Sequence, residues 1–259
     1  MKSSITKTAG AAAVALLALS GAASAEDRQF GWSVNVGGTS DYIFRGVSQT
    51  DGDPAFQAGV DFSYGILYAG IWGSNTDDAF TNSSAEIDFY AGIKPVLGPV
   101  TFDFGVIYYY YPGDDFDVAD YVEGKAGASI SPIKNLSLAA TLYYTDEGTF
   151  NTGEIFTYEG TAAYTLPSVG IFTPTVSGLV GHSEFEDFGA LSYTYWNAGI
   201  ALAVEKFTFD FRYWDTDIDI ISGSYVLVNY FCPFNINFLT CNIASCGHSW
   251  FWCHKWHSV

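Results

Sequence analysis

The chain has 259 residues, with 28 Asp and Glu against 10 Lys and Arg and a net charge of -18. Such a field repels phosphate, which sets nucleic acid aside as a partner. Yet 49% of the residues are apolar, 18% are aromatic and only 15% are charged, so the acidity is not that of a disordered, solvating chain.

Residues 1–25 read as an export signal. Lys2 and Lys7 supply a basic start, residues 9–19 an apolar run, and Ala23-Ser24-Ala25 a small-residue cleavage site. The apolar run is too short to cross a bilayer as a helix, and no later apolar run is long enough either. A helical membrane protein is therefore excluded.

Beyond residue 25 the chain has a period of two. Phe56, Ala58, Val60, Phe62 and Tyr64 alternate with Gln57, Gly59, Asp61 and Ser63, which places an apolar set on one strand face and a polar or small set on the other. Phe102, Phe104, Val106, Tyr108 and Tyr110 repeat the pattern, as do Phe207, Phe209, Phe211 and Tyr213. Extending this reading gives strands at 33–46, 56–64, 67–74, 85–96, 100–111, 121–131, 136–144, 155–166, 172–182, 192–204, 207–214 and 222–231.

The links between these segments alternate in length. Short turns at 65–66, 97–99, 132–135, 167–171 and 205–206 are interleaved with longer loops at 47–55, 75–84, 112–120, 145–154, 183–191 and 215–221. The expected fold is an all-β, antiparallel, up-and-down transmembrane barrel of about 12 strands, with short turns at one rim and long loops at the other. The charges sort the same way: 17 of the 28 acids fall in the six long loops, whereas the short turns hold only Glu205. A soluble β-sandwich also alternates, but it does not demand the short-long rhythm. Tyr42, Phe44, Tyr64, Tyr108, Tyr109, Tyr110, Tyr111, Tyr143, Tyr144, Tyr193, Tyr195 and Tyr213 are expected to form the aromatic girdles of such a barrel.

The run Thr39-Ser40-Asp41-Tyr42-Ile43-Phe44-Arg45-Gly46-Val47-Ser48-Gln49-Thr50 carries a resemblance, together with Pro54-Ala55-Phe56-Gln57-Ala58-Gly59, Gly70-Ile71-Trp72-Gly73-Ser74, Glu86-Ile87-Asp88-Phe89-Tyr90-Ala91-Gly92, Tyr109-Tyr110-Tyr111-Pro112-Gly113 and Tyr213-Trp214-Asp215-Thr216. It resembles the TorF-type porin family of proteobacteria over residues 30–217. The resemblance implies an outer-membrane barrel passing small solutes; it implies no substrate and no pore residue.

With the signal at 1–25, the barrel is expected at 26–231. Residues 232–259 differ in kind: they hold all four Cys, three of the four His and no acid. They read as a frameshift or read-through tail, with a disulfide-stapled extension through Cys232, Cys241, Cys246 and Cys253 as one alternative. A zinc site using Cys241, Cys246 and His248 with Cys253, His254 and His257 is a second, weakened by the absence of a Cys-x2-Cys pair.

If the apolar set faces lipid, the lumen candidates are Gln57, Asp61, Glu86, Asp88, Lys94, Asp103, Glu123, Lys125, Glu159, Asp210 and Arg212. Seven acids against three bases point to a porin-like channel with a weak preference for cations. Cross-strand pairing that plugs the lumen, leaving a structural or receptor barrel, is the open alternative. Outer-membrane lipid, lipopolysaccharide and small solutes or ions are the expected partners, with no cofactor. Acid clusters such as Asp51 with Asp53 and Asp114, Asp115 with Asp117 suit hard cations but lack the spacing of a dedicated calcium loop. A lipid hydrolase would need a nucleophile and base; His182 with Ser183 or Ser192 is the sole candidate set, and no Gly-x-Ser-x-Gly elbow accompanies it.

Overall fold

A computed structural model of the chain describes residues 30–114, 119–218 and 235–246, the last stretch by its backbone. Fifteen strands appear in it: β1 (Phe30–Thr39), β2 (Ile43–Phe44), β3 (Val47–Ser48), β4 (Ala55–Tyr64), β5 (Leu67–Asn75), β6 (Ala85–Ile93), β7 (Val96–Leu97), β8 (Val100–Tyr110), β9 (Tyr121–Ile133), β10 (Leu136–Thr145), β11 (Ile155–Thr165), β12 (Thr173–Phe185), β13 (Tyr193–Val204), β14 (Phe207–Thr216) and β15 (Asn235–Cys246). One α-helical turn, α1 (Asp78–Thr81), sits in the loop between β5 and β6, and short 3-10 turns stand at Thr149–Asn151 and Gly189–Leu191.

Thirteen of these strands form one antiparallel sheet, and twelve of them make a ring in which neighbours in sequence are neighbours in space. The order runs β1, β4, β5, β6, β8 through β14, then β15, and β15 returns to pair with β1. The β6–β8 ladder, Ile87 opposite Tyr110 through Ile93 opposite Phe104, completes the circuit of pairings, so among the described residues the ring leaves no free edge. The two-residue β7 only extends the turn into β8. The fold is all-β, as the alternation demands.

Burial runs opposite to that of a water-soluble protein. Along β4, Phe56 is 64% exposed and Phe62 and Tyr64 are exposed too, while on other strands Glu86, Asp88, Glu123 and Asp210 are buried. The apolar set points out of the ring, and the polar set points in. Side chains alternate by two along every strand, so a single choice of register assigns all of them.

Two expectations change. Strand 33–46 ends early, at Thr39, and residues 43–48 instead form the separate hairpin β2–β3. Of the aromatic set, Tyr64, Tyr108, Tyr110, Tyr144 and Tyr213 lie on the outward-facing positions, whereas Tyr109, Tyr111, Tyr143, Tyr193 and Tyr195 alternate with them and face inward. Consecutive residues of a strand cannot share a face, so the run 108–111 can supply a girdle with only half its members.

The expected strand 222–231 lies outside the described residues; among the described residues β15, which falls within 232–259, pairs with both β14 and β1. In β15 the apolar positions shift by one between Phe238 and Leu239. The register shifts there against both neighbours, between Val36 and Thr39 on β1 and between Thr208 and Asp210 on β14. An extra residue in one strand lets two out-of-phase halves join a single ladder. Cys241 and Cys246 lie on β15; Cys232, Cys253 and the three histidines of the tail lie outside the described residues, as does the export signal.

Candidate functional site: a hairpin across the lumen

The first long loop does not stay at its rim. Ile43 pairs with Ser48 and Phe44 with Val47, leaving Arg45 and Gly46 as the two turn residues. Both have positive φ, 46° and 83°, as a two-residue turn matched to strand twist requires. At the hairpin's root, Asp41 Oδ1 accepts hydrogen bonds from Ser48 Oγ at 2.6 Å and Thr50 Oγ1 at 3.0 Å, and Thr50 Oγ1 accepts from the Tyr42 amide at 3.0 Å. These short bonds hold the loop in a compact form that turns inward from β1.

The tip reaches the inner wall. Arg45 donates from Nη1 to Glu123 Oε2 at 2.9 Å and from Nη2 to Glu123 Oε1 at 2.8 Å, a parallel two-bond geometry with a residue of β9. Its guanidinium also lies 4.7 Å from the ring centre of Tyr143, on β10, and 4.8 Å from that of Phe44. On the opposite side Gly46 is pressed against Tyr195 of β13 and Thr216 of β14, where an added Cβ would stand 2.8 Å from the Tyr195 Cβ. The hairpin thus bridges β9–β10 and β13–β14. Arg45 is only 7% exposed, and Tyr195 and Tyr109 are fully buried.

Tyrosines fill the space around the hairpin at the long-loop end. Phe44 lies 6.1 Å from Tyr109, Tyr109 stacks on Tyr121 at 5.1 Å, and Tyr42 meets Trp72 edge-on at 5.4 Å. Tyr195 donates to Glu159 Oε1 at 2.6 Å while lying over Gly181, a position where a side chain would collide with its ring.

Toward the short-turn rim the lumen changes character. Asp103 accepts from Lys125 Nζ at 2.6 Å and from Tyr68 Oη at 2.7 Å, with Lys94 Nζ at 3.7 Å. Asp61 accepts from Tyr90 Oη at 2.5 Å and from Ser33 and Asn35. Tyr68 and Tyr90 can lie flat on the wall because glycines stand beneath them, Gly92 and Gly105 under the first and Gly70 under the second. Arg212 spans three strands, donating to Asp210 at 2.9 Å, Ser177 at 2.9 Å and Asn197 Oδ1 at 2.5 Å.

All eleven sequence candidates belong to the inward set or, for Lys94, reach it through Asp103, but they do not form one cluster. Asp61, Lys94, Asp103 and Lys125 share one region, Asp210 and Arg212 another, and Glu123 belongs to the hairpin contact. Arg45 is not among the eleven. Its signal is present in the Arg-Gly pair between two β-forming runs, a two-residue turn pattern that the longer strand reading absorbs. With Arg45 counted, the inward groups are seven acids and four bases.

The hydrolase candidates are separated. His182 Nδ1 lies 3.1 Å from Thr194 Oγ1, whereas Ser183, its neighbour on the other face of β12, is hydrogen-bonded to Thr157 at 3.0 Å. Ser192 accepts from the Phe185 amide. None of the three bonds another, so no nucleophile–base pair is assembled here.

Residues 22–234 match the family model described as "Bacterial protein of unknown function (Gcw_chp)". The chain belongs to the Gcw_chp family. That match contains the whole hairpin and every inward candidate of the Gcw_chp chain, and it ends just before β15. No curated protein is similar in sequence. Among solved structures, a porin refined at 1.8 Å is 10% identical with a TM-score of 0.35, covering 84% of this chain and 99% of that one. OmpT, an outer membrane protein of Vibrio cholerae in trimer form, is 11% identical at a TM-score of 0.37, covering 83% and 98%. Pseudomonas aeruginosa OccK8 (OprE) is 10% identical at 0.32, covering 74% and 68%. At these scores the likenesses carry no argument about what the Gcw_chp chain does.

Proposed function

We propose that the protein is an outer-membrane, porin-like channel for small solutes or ions, weakly selective for cations and narrowed by the hairpin 41–50. The observation that carries this reading is the inverted ring: exposed Phe56, Phe62, Val180 and Phe211 outside, buried carboxylates and ion pairs inside. A ring of strands with no free edge satisfies its backbone internally, which is what a hydrocarbon environment requires. The export signal and the resemblance to TorF-type porins support the location, with lipid and lipopolysaccharide as surroundings. Twelve strands enclose a bore between the filled eight-stranded barrels and the open ones of 16 to 18 strands. An excess of three inward acids biases that bore toward cations.

The test is recording from planar bilayers with refolded protein under a salt gradient. Small cation-selective steps are expected, rising in size when residues 43–48 are replaced by a short Gly-Ser link. Anion preference, or silence of both proteins, overturns the channel reading. The buried hairpin favours one rival, a sealed receptor barrel, and silence of both proteins is its signature.

A further inference from the structure

The long-loop end of the lumen holds two carboxylates that the hairpin does not neutralise. Glu86 and Asp88 stand two residues apart on β6, on the same inward face. Asp88 is opposite Trp72 of β5 and Tyr109 of β8, and Glu86 is opposite Ser74. They are 2% and 1% exposed, and Tyr42, at the root of the hairpin, covers them. The hydroxyls of Tyr42 and Tyr111 face the Glu86 carboxyl, which in turn faces Asp88.

Glu123, Asp103 and Asp210 each have a base beside them, while Asp41, Asp61 and Glu159 are met by hydroxyls instead. Arg45 is spent on Glu123, Lys94 and Lys125 on Asp103, and Arg212 on Asp210. Among the described residues no Lys or Arg pairs with Glu86 or Asp88. Glu86 Oε2, Asp88 Oδ1, Tyr42 Oη and Tyr109 Oη are all buried without a hydrogen bond of ordinary geometry, although Tyr42, Tyr111 and Asp88 approach the Glu86 carboxyl. Burying one charge without a counter-charge is costly, and two adjacent like charges cost more. Orphaned acceptors gathered at one point are the mark of a missing positive group.

We propose that Glu86 and Asp88, capped by Tyr42, bind a divalent metal cation of the calcium type. Two carboxylates match a double charge, and the donors at hand are all oxygen, which favours a hard cation over zinc or copper. The Tyr111 hydroxyl, which faces Glu86, completes the oxygen lining. Because Tyr42 belongs to the hairpin and the carboxylates to the wall, the bound cation ties one to the other and holds the hairpin in the lumen. This goes beyond the channel reading and does not depend on conduction.

Terbium provides the probe, since tyrosine excitation sensitises its emission and Tyr42, Tyr109 and Tyr111 surround the site. Full-length protein refolded in detergent and stripped of metal should show saturable, tyrosine-excited Tb3+ emission that Ca2+ displaces. Glu86→Gln/Asp88→Asn should abolish it, while Asp51→Asn/Asp53→Asn, in an exposed loop, should not. EDTA should lower the melting temperature of the parent and leave the Glu86/Asp88 variant unchanged. Heat-modifiable gel migration reports folding; the single variant Glu86→Gln serves if the double one does not fold. Absence of saturable emission from the parent, equal emission from the variant, or loss only with Asp51→Asn/Asp53→Asn overturns the site. A silent bilayer with an intact terbium response would reject the channel and leave the cation site standing.

Discussion

Arg45, at the tip of a hairpin contributed by the first long loop, holds Glu123 of β9 through two parallel hydrogen bonds of 2.8 and 2.9 Å. Both side chains are almost wholly buried, so neither charge has water to fall back on. Removing one partner of such a pair costs roughly 3–5 kcal/mol when the other stays buried. Arg45 has an escape, because the hairpin can swing out to solvent. Glu123→Ala is therefore expected to release the hairpin rather than unfold the barrel, seen as larger single-channel steps with unchanged heat-modifiable migration. Steps of parental size would show that the latch does not hold the hairpin.

Two glycines of the same loop separate fit from backbone strain. Gly46 and Gly52 both have φ of 83°, but only Gly46 is hemmed in, by Tyr195, Thr216 and the Asp215 carbonyl. Gly52→Ala should cost about 1 kcal/mol, the usual penalty of the left-handed region. Gly46→Ala should cost more, and should expose the loop to protease cleavage. Equal losses in melting temperature for the two variants would contradict the packed position of the hairpin tip.

Asp103 gathers Lys125, Lys94 and Tyr68 in the short-turn half of the lumen. Asp103→Asn removes one negative charge and frees two lysines, so the reversal potential under a salt gradient should move toward anions. Lys125→Gln should move it the opposite way. If the two variants shift it in the same direction, these groups do not line the conducting path.

Asp41 offers a pH test outside the spanning strands. Burial, the largest influence, raises its carboxyl above the ordinary value of 3.8, against the lowering effect of the Ser48 and Thr50 hydroxyls. A carboxyl with a raised folded pKa takes up its proton more readily in the fold than in the unfolded chain. Its cost is thus fully present above the folded pKa, and stability is gained as pH falls through that value toward 3.8. Protease protection of the hairpin should rise on mild acidification, and Asp41→Asn should flatten that dependence. An identical pH profile in parent and variant would remove Asp41 from the account.

The last strand can be tested by truncation. β15 pairs with β1 from Gly31 to Thr39 and with β14 from Phe207 to Arg212. A chain ending at residue 234 should expose both edges and lose heat-modifiable migration. Retained migration would mean that residues 219–234 supply the twelfth strand, where the alternation 222–231 places it.

Much of the barrel is readable from residue order alone. The period-two runs locate ten of the twelve ring strands within a few residues and the start of an eleventh, β1, and the short-long rhythm of the links sets their antiparallel order, because strand periodicity and turn chemistry are local properties. The alternation also sorts side chains into two faces, which is why Asp61, Asp103 and Arg212 are recognisable as inward. What local order does not contain is where a loop goes. Nothing in Tyr42-Ile43-Phe44-Arg45-Gly46 states that its nearest partner lies 78 residues away on β9. Closing the ring decides that. It brings Glu123, Tyr143 and Tyr195 around one point, buries half of the expected girdle tyrosines inside, and leaves Glu86 and Asp88 together without a base. Strands, faces and the excess of acid are written in the order of residues, whereas which charges meet is settled in three dimensions, since pairing energy depends on distance across the lumen and on the water that the hairpin excludes.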